Sequence, residues 1–219
     1  MWQATPAAAA HAAPHPAATY PHHLVETTRL RDATLITIRP IHADDLALER
    51  AFVCGLSAQT RYQRLLSGRK LREDELHRLV EIDYCRELAL IATTTADDDA
   101  APQQIGVARY APEADGNSAD FAIVIADAWQ GHGLGETLLR SLVQAAAGAG
   151  VPALTGMALS TNVGMLALAR KLGFTLQRDP QDASVTLLHL PLVARNPAPV
   201  ALLGADVVVQ AAPARLRLA

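Results

Sequence analysis

The chain has 219 residues, half of them hydrophobic, with 19 Lys and Arg against 22 Asp and Glu and a formal charge of −3. That length suits one sizeable core with tails rather than two comfortable domains, and the acidic balance argues against a nucleic-acid binder held by a general basic field. No stretch approaches the ~20 apolar residues that span a bilayer, and the start lacks the basic region and unbroken apolar run of a secretory signal, so a cytoplasmic protein is expected.

Residues 1–23 are mostly Ala, Pro and His. Such a segment buries too little apolar surface to offset its ordering entropy and is expected to be disordered. Its histidines, His11, His15, His22 and His23, lack companion acids or cysteines, and no metal site is expected. Cys54 and Cys85 stand outside any metal or redox spacing and read as buried or idle thiols. A folded domain is expected over 24–192, followed by a tail, 193–219, whose apolar patch Val207–Val209 has no evident place.

Residues 25–30 and 34–39 are β-branched-rich runs around Arg31-Asp32-Ala33, the pattern of a hairpin. Asp44 or Asp45 can cap a helix that Gly55 stops. Two more helices are expected at 57–66 and 73–82, separated by Ser67-Gly68, then strands at 87–95 and 105–110 around the acidic turn Asp97-Asp98-Asp99. A strand at 119–126 leads into the glycine-rich run 130–135 and an amphipathic helix to Ala149, where Leu138, Leu142 and Ala146 recur every fourth residue and Leu139 and Val143 widen the stripe. A strand at 154–159, a helix at 162–172 ended by Gly173, and strands at 174–177 and 185–190 close the pattern. The order predicts an α/β (α+β) domain, a mixed sheet with helices on its faces.

Gln130-Gly131-His132-Gly133-Leu134-Gly135 lies between a strand and a helix. Glycines let backbone N–H groups approach a ligand, and the helix adds its unpaired donors and the positive end of its dipole. That chemistry suits a phosphate or pyrophosphate. The P-loop pattern fails because no Lys-Ser or Lys-Thr pair is present, and the dinucleotide pattern fails because Glu136 stands where its last glycine belongs. The spacing Q/R-x-x-G-x-G remains, on Gln130, Gly133 and Gly135.

The run from Asp127 to Gly135 resembles the acetyl-CoA pyrophosphate loop of GNAT acetyltransferases, and the run from Asn162 to Gly173-Phe174 resembles that family's Asn…Gly-Phe segment. Together they are similar to the GNAT domain of bacterial protein-lysine acetyltransferases, over about Leu24 to Leu192. The resemblance implies the GNAT fold, a mostly antiparallel sheet splayed at the acetyl-CoA site with helices on both faces. It implies that residues 130–135 hold the pyrophosphate and that pantetheine pairs with the backbone of Ala122, Ile123 and Val124. The Val124 N–H would serve as oxyanion donor, and Asn162 would touch the cofactor or orient the acceptor. Within the loop His132 is either a phosphate donor or a solvent-facing spacer.

An alkylamine arrives protonated at neutral pH, its ordinary pKa being about 10.4, so the site needs a base. Asp120 occupies the position where the related lysine acetyltransferases carry a glutamate; one methylene shorter, it would work through a water. The tyrosine by which many GNAT enzymes protonate the leaving thiolate is replaced by Ala169, leaving Tyr84 and Tyr110 as substitutes without a placement. Glu136 is expected to point away from the phosphates, and Trp129 to anchor the loop by packing. Arg61, Tyr62 and Arg64 border the acceptor side or form a solvated face, and Arg170 and Lys171 either reach the cofactor's 3′-phosphate or are solvated. The expected function is transfer of acetyl from acetyl-CoA, without a metal, to a primary amine, a protein lysine first. A small-amine enzyme and a non-catalytic acyl-CoA sensor are the alternatives. No nucleic-acid or membrane partner is expected, and the protein would be a monomer or homodimer.

Overall fold

A computed structural model describes residues 19–65, 71–95, 101–114 and 116–192. The expectations for residues 1–18, the Ser67-Gly68 break, the 97–99 turn and the tail from 193 lie outside these residues. Eight strands form one sheet in the order β1-β2-β3-β4-β5-β6-β8-β7. They are β1 (Glu26–Arg29), β2 (Leu35–Pro40), β3 (Leu88–Thr94), β4 (Gln103–Pro112), β5 (Ala119–Ile125), β6 (Ala153–Leu159), β7 (Thr175–Arg178) and β8 (Val185–Pro191). Every pairing is antiparallel except β5 with β6. The helices are α1 (Leu46–Gly55), α2 (Ala58–Leu65), α3 (Glu73–Val80), α4 (Leu134–Gly148) and α5 (Val163–Lys171). The mixed, mostly antiparallel sheet with flanking helices matches the expected fold class.

Strand alternation divides the core in two. On one face α4 and α5 pack over Ala108, Tyr110, Phe121 and Leu154, and α4 drives Leu134, Leu138, Leu139, Leu142 and Ala146 to complete burial there. On the other face Phe52 of α1 and Val80 of α3 pack over Ala89, Ile91, Val107 and Val124. A fully buried Leu contributes about 1.5–3 kcal/mol, so the four buried leucines of α4 are the main anchor of the first face.

Four local details depart from or extend the sequence pattern. The described contacts begin before Leu24: the Tyr20 hydroxyl donates to Pro40 O at 2.8 Å and its ring lies edge-on to Tyr84. Asp45 does not cap α1; it takes a two-pronged bond from Arg39, 2.7 Å on each oxygen, and accepts from His42 N. Glu49 of α1, a charged residue, is only 1% exposed. It accepts from Gln104 Nε2 and lies 3.8 Å from Arg109, tying α1 to β4 through polar groups. Both cysteines are exposed rather than buried.

Leu138→Ala, at a fully buried position, is expected to lower the unfolding free energy by about 2–5 kcal/mol. Leu35→Ala, at a half-exposed strand position, is expected to change it by less than about 1 kcal/mol. Urea unfolding of the two variants checks the contrast, and equal effects would contradict the packing described.

Candidate active site

β5 and β6 are bridged at only two positions, Ala119 with Leu154 and Asp120 with Thr155. Beyond them the strands part. Gly156 permits the close approach at the fork, because a Cβ there would sit 2.8 Å from the Phe121 ring and 3.1 Å from Phe121 O. Past the fork the sheet holds a cleft of about 420 Å³.

The direction of the β5 backbone decides which groups face this cleft. Ala126 donates its N–H to Ile105 O on β4. Alternation carries the same sense back to Val124 and Ala122, which stand opposite Val107 and Arg109. Their N–H groups belong to the β4 ladder. Those of Ile123 and Ile125 point the other way, into the gap that β6 leaves. The expectation of a donor at Val124 is therefore corrected by one residue: Ile123 and Ile125 present the unpaired N–H groups. Val124 contributes a side chain, turned toward α1.

At the lower end of the cleft stand Gln130, Gly131 and Gly135. Gly131 and Gly133 adopt positive φ, +83° and +89°, which an L side chain resists, and Gly133 caps α4 in that conformation. The first N–H groups of α4 consequently face out of the helix beside the cleft. Leu134 is fully buried, so only its backbone is available to a ligand. His132 and Gly133 lie off the cleft wall; the His132 ring is exposed and its Nδ1 is 3.0 Å from Asp32 Oδ2. Glu136 points away from the cleft, as expected, and meets Arg31, Arg140 and Lys171.

A polar network joins α2 to the loop. Asp127 accepts from Ser57 N at 2.9 Å, Ser57 Oγ at 2.7 Å and Thr60 Oγ1 at 2.7 Å. Gln130 Nε2 donates to Ile125 O at 3.1 Å and approaches Thr60 Oγ1 at 3.4 Å. The expected loop glutamine is thus also a brace across the end of β5. Burial alone would raise the Asp127 pKa, but the donors on Ser57 and Thr60 outweigh it and hold the carboxyl below its ordinary 3.8.

Asp120 lies at the fork itself, exposed, on the side of the sheet that carries α1 and α2, and it lines the cleft. Thr60 and Gln63 of α2 form the neighbouring wall. Asn162 also lines the cleft, while its Oδ1 accepts from Met165 N at 3.1 Å and caps α5. Ala169 is fully buried in the core. Neither tyrosine considered as a substitute reaches the cleft: Tyr110 is 3% exposed within the core, and Tyr84 donates to Ile41 O at 2.7 Å. Arg61 donates to Leu56 O, and Trp129 packs against the core. The side chain of Arg64 lies outside the described residues. Among the described residues no group of three or more His, Cys, Asp or Glu could hold a metal, and no helix is long and apolar enough to cross a membrane.

Residues 36–175 match the acetyltransferase (GNAT) domain family. An acetyltransferase of Pseudomonas aeruginosa is 33% identical over 171 residues, which are 78% of this chain and 90% of the relative. The chain belongs to the GNAT acetyltransferases. Among solved structures, the GNAT domain of Streptomyces lividans PAT superposes with a TM-score of 0.70 at 26% identity, covering 80% of this chain and all of that one. The Salmonella typhimurium protein yncA, solved with its cofactor acetyl-CoA, shares the fold with a TM-score of 0.58 at 20% identity, over 76% of this chain and 98% of that one. As a GNAT acetyltransferase the chain is an acyltransferase that uses acetyl-CoA and acts on an amine.

The GNAT cleft meets the physical needs of that cosubstrate. Unpaired strand N–H groups suit the amide-bearing pantetheine arm, and the glycine loop with the α4 N-terminus suits a pyrophosphate. Sequence reasoning missed Asp127, Ser57 and Thr60, although an Asp directly after a strand and a Ser at a helix start are readable signals. It also missed Arg31, whose contacts arise only from the tertiary fold.

Gly133→Val is expected to weaken acetyl-CoA binding at least about tenfold, because it forces positive φ on a branched residue and places a Cβ 3.3 Å from Arg31 Nε. Calorimetry on the folded variant checks this, and wild-type affinity would place the phosphate cradle elsewhere. Asp127 provides a pH test. Its folded pKa lies below the unfolded one, so its stabilisation is full above the unfolded value and is lost as pH falls through the folded value. Asp127→Asn is expected to lose less melting temperature than wild type over that acid range. Identical profiles would remove the carboxylate from the loop's support.

Proposed function

We propose that this GNAT enzyme transfers the acetyl group of acetyl-CoA directly to a primary amine in a ternary complex, with a protein lysine as the acceptor and Asp120 as the base. The observation that carries this reading is the position of Asp120. It lies at the fork where β5 and β6 part, on the α2 side of the cleft, three residues before Ile123, the first of the two residues whose N–H groups face the gap.

The acceptor enters as an ammonium group with a pKa of about 10.4. Asp120 takes a proton from it through a water, freeing the nitrogen lone pair for attack on the thioester carbonyl. The N–H groups facing the gap stabilise the charge that grows on the carbonyl oxygen. The attacking nitrogen gives up its second proton to water as the intermediate collapses, and CoA leaves as a thiolate or is protonated by water, since Ala169 and the two tyrosines offer no hydroxyl in the cleft. Gln130, Gly131, Gly133 and Gly135 hold the pyrophosphate, with the backbone of His132 and Leu134 completing the loop. Asn162 fixes the α5 wall.

The lysine acceptor is supported by the resemblance of the loop and the Asn…Gly-Phe segment to bacterial protein-lysine acetyltransferases. It also suits the wall of the cleft, where Met157 of β6 stands about half exposed. An open apolar wall fits a polypeptide better than a closed pocket for a compact amine does. Such an acceptor also fits a cytoplasmic enzyme.

Asp120→Asn is expected to cut turnover by about 10²–10⁴-fold, the usual range for a positioned base, with acetyl-CoA affinity nearly unchanged. Asp120→Glu is expected to retain activity, and the Asn variant to recover partly at high pH, where more amine is already neutral. CoA-thiol release against pH with a lysine-bearing peptide and with spermidine measures all of this. Wild-type rates for Asp120→Asn would exclude the base. Turnover of spermidine but not peptide would exclude the lysine assignment, and binding without turnover of any amine would leave an acyl-CoA sensor.

A further inference from the structure

Val124 stands between two cavities. It lines the cleft at the parting of β5 and β6, and it lines a second cavity of about 70 Å³ on the α1 side of the sheet. Among the described residues no other lines both. The second cavity is walled by Phe52 and Val53 of α1, Leu79 of α3 and Val107 of β4. The arginines of its lining are already engaged. Arg61 donates to Leu56 O at 2.8 Å, and Arg109 donates to Leu79 O at 3.3 Å and lies 3.8 Å from Glu49. The chamber therefore suits an uncharged, apolar group better than an anion.

The level of Val124 along the cleft decides what this partition faces. The glycine loop lies at one end and the fork with Asp120 at the other. An arm that bonds first to the Ile125 N–H and then to that of Ile123 brings its thioester to the level of Ile123. Asp120, Ala122 and Val124 alternate onto one face of β5. The Val124 side chain is turned toward α1, and the residue is 8% exposed. An acyl group carried at Ile123 thus has a β-branched, conformationally stiff side chain between it and the second cavity.

We propose that Val124 sets the length of the acyl group this enzyme transfers. Its side chain closes the second cavity off from the thioester, and that cavity takes a longer straight apolar chain once the wall is lowered. This rests on the reading of the cleft as the acetyl-CoA site. With Val124 in place, carbons beyond the acetyl methyl have to turn toward Asp120, where they obstruct the incoming amine. With Val124 shortened, two further methylenes enter the apolar chamber, each contributing roughly fourfold in affinity. The transfer keeps its balance: the thioester C–S bond breaks, the amide C–N bond forms, the amine's protons leave by Asp120 and water, and CoA departs with the sulfur electron pair.

The test compares acetyl-CoA with butyryl-CoA on wild type, on Val124→Ala, and on Val124→Ala combined with Val53→Phe, which refills the chamber from α1. A native melting profile and binding of CoA itself, which carries no acyl group, show that each variant keeps its cleft. Calorimetry needs no acceptor, and Val124→Ala is expected to tighten butyryl-CoA relative to acetyl-CoA by about tenfold. Thiol release with a lysine-bearing peptide or spermidine is expected to show wild type favouring acetyl by about tenfold or more, with Val124→Ala losing most of that preference. Val53→Phe is expected to restore the wild-type ratios. Unchanged ratios in Val124→Ala, or a wild type that transfers butyryl as fast as acetyl, would overturn the proposal. So would a gain that survives Val53→Phe, because the chain would then lie elsewhere. A wild type that binds neither CoA nor acetyl-CoA would overturn the reading of the cleft and this proposal with it, a result distinct from failure of the partition alone.

Discussion

The site depends on one interruption in hydrogen bonding: β5 and β6 bridge at Ala119 and Asp120 and then separate. A sheet interior seldom leaves strand N–H groups without partners, since each buried unpaired group costs about 1–3 kcal/mol. Here the cost is limited because the gap is open and a substrate arm can complete the ladder. β4 holds β5 along its whole length, Gly106 to Ile125 through Pro112 to Ala119, so the parting strands do not collapse together. On the far side β6 is held just as fully by β8. The cleft is a missing seam between two well-paired half-sheets.

Two braces keep the lower end of that seam in shape. Asp127, with Ser57, Thr60 and Gln130, ties α2 to the end of β5 and so couples the acceptor side to the cofactor loop. Arg31 and Asp32 tie the first hairpin to Gly133 and His132 from the opposite side. Thr34 donors, backbone first, then His132, hold the Asp32 carboxyl down to about 2, so this second brace keeps its charge across the neutral range. Short polar side chains at turns thereby position a loop whose own glycines have no side chains with which to hold it.

Periodicity and punctuation carried most of the fold. The Leu138, Leu142, Ala146 stripe, the stop at Gly173 and the hairpin at Arg31–Ala33 are local signals, and each element stands where they place it. The glycine loop between a strand and a helix was legible for the same reason, because its residues stand close together in sequence, and Asp120 lies on β5, the strand to which the resemblance assigned it. The direction of a strand's N–H groups was not legible. It follows from pairing with β4, and a shift of one residue moves the donor from Val124 to Ile123. Burial of Glu49 was equally hidden, since its partners Gln104 and Arg109 lie more than fifty residues away. Arg31 read as a turn residue until the fold brought it to a loop some hundred positions later.

The central claim is that the unpaired N–H groups of Ile123 and Ile125 receive the substrate arm. Residue-resolved amide hydrogen exchange, with and without acetyl-CoA, tests it most directly. The account predicts that acetyl-CoA slows exchange at Ile123 and Ile125, which face the gap, while Val124, already bonded to β4, changes little. Unchanged exchange at Ile123 and Ile125 under saturating acetyl-CoA, or protection gained at Val124 instead, would contradict it.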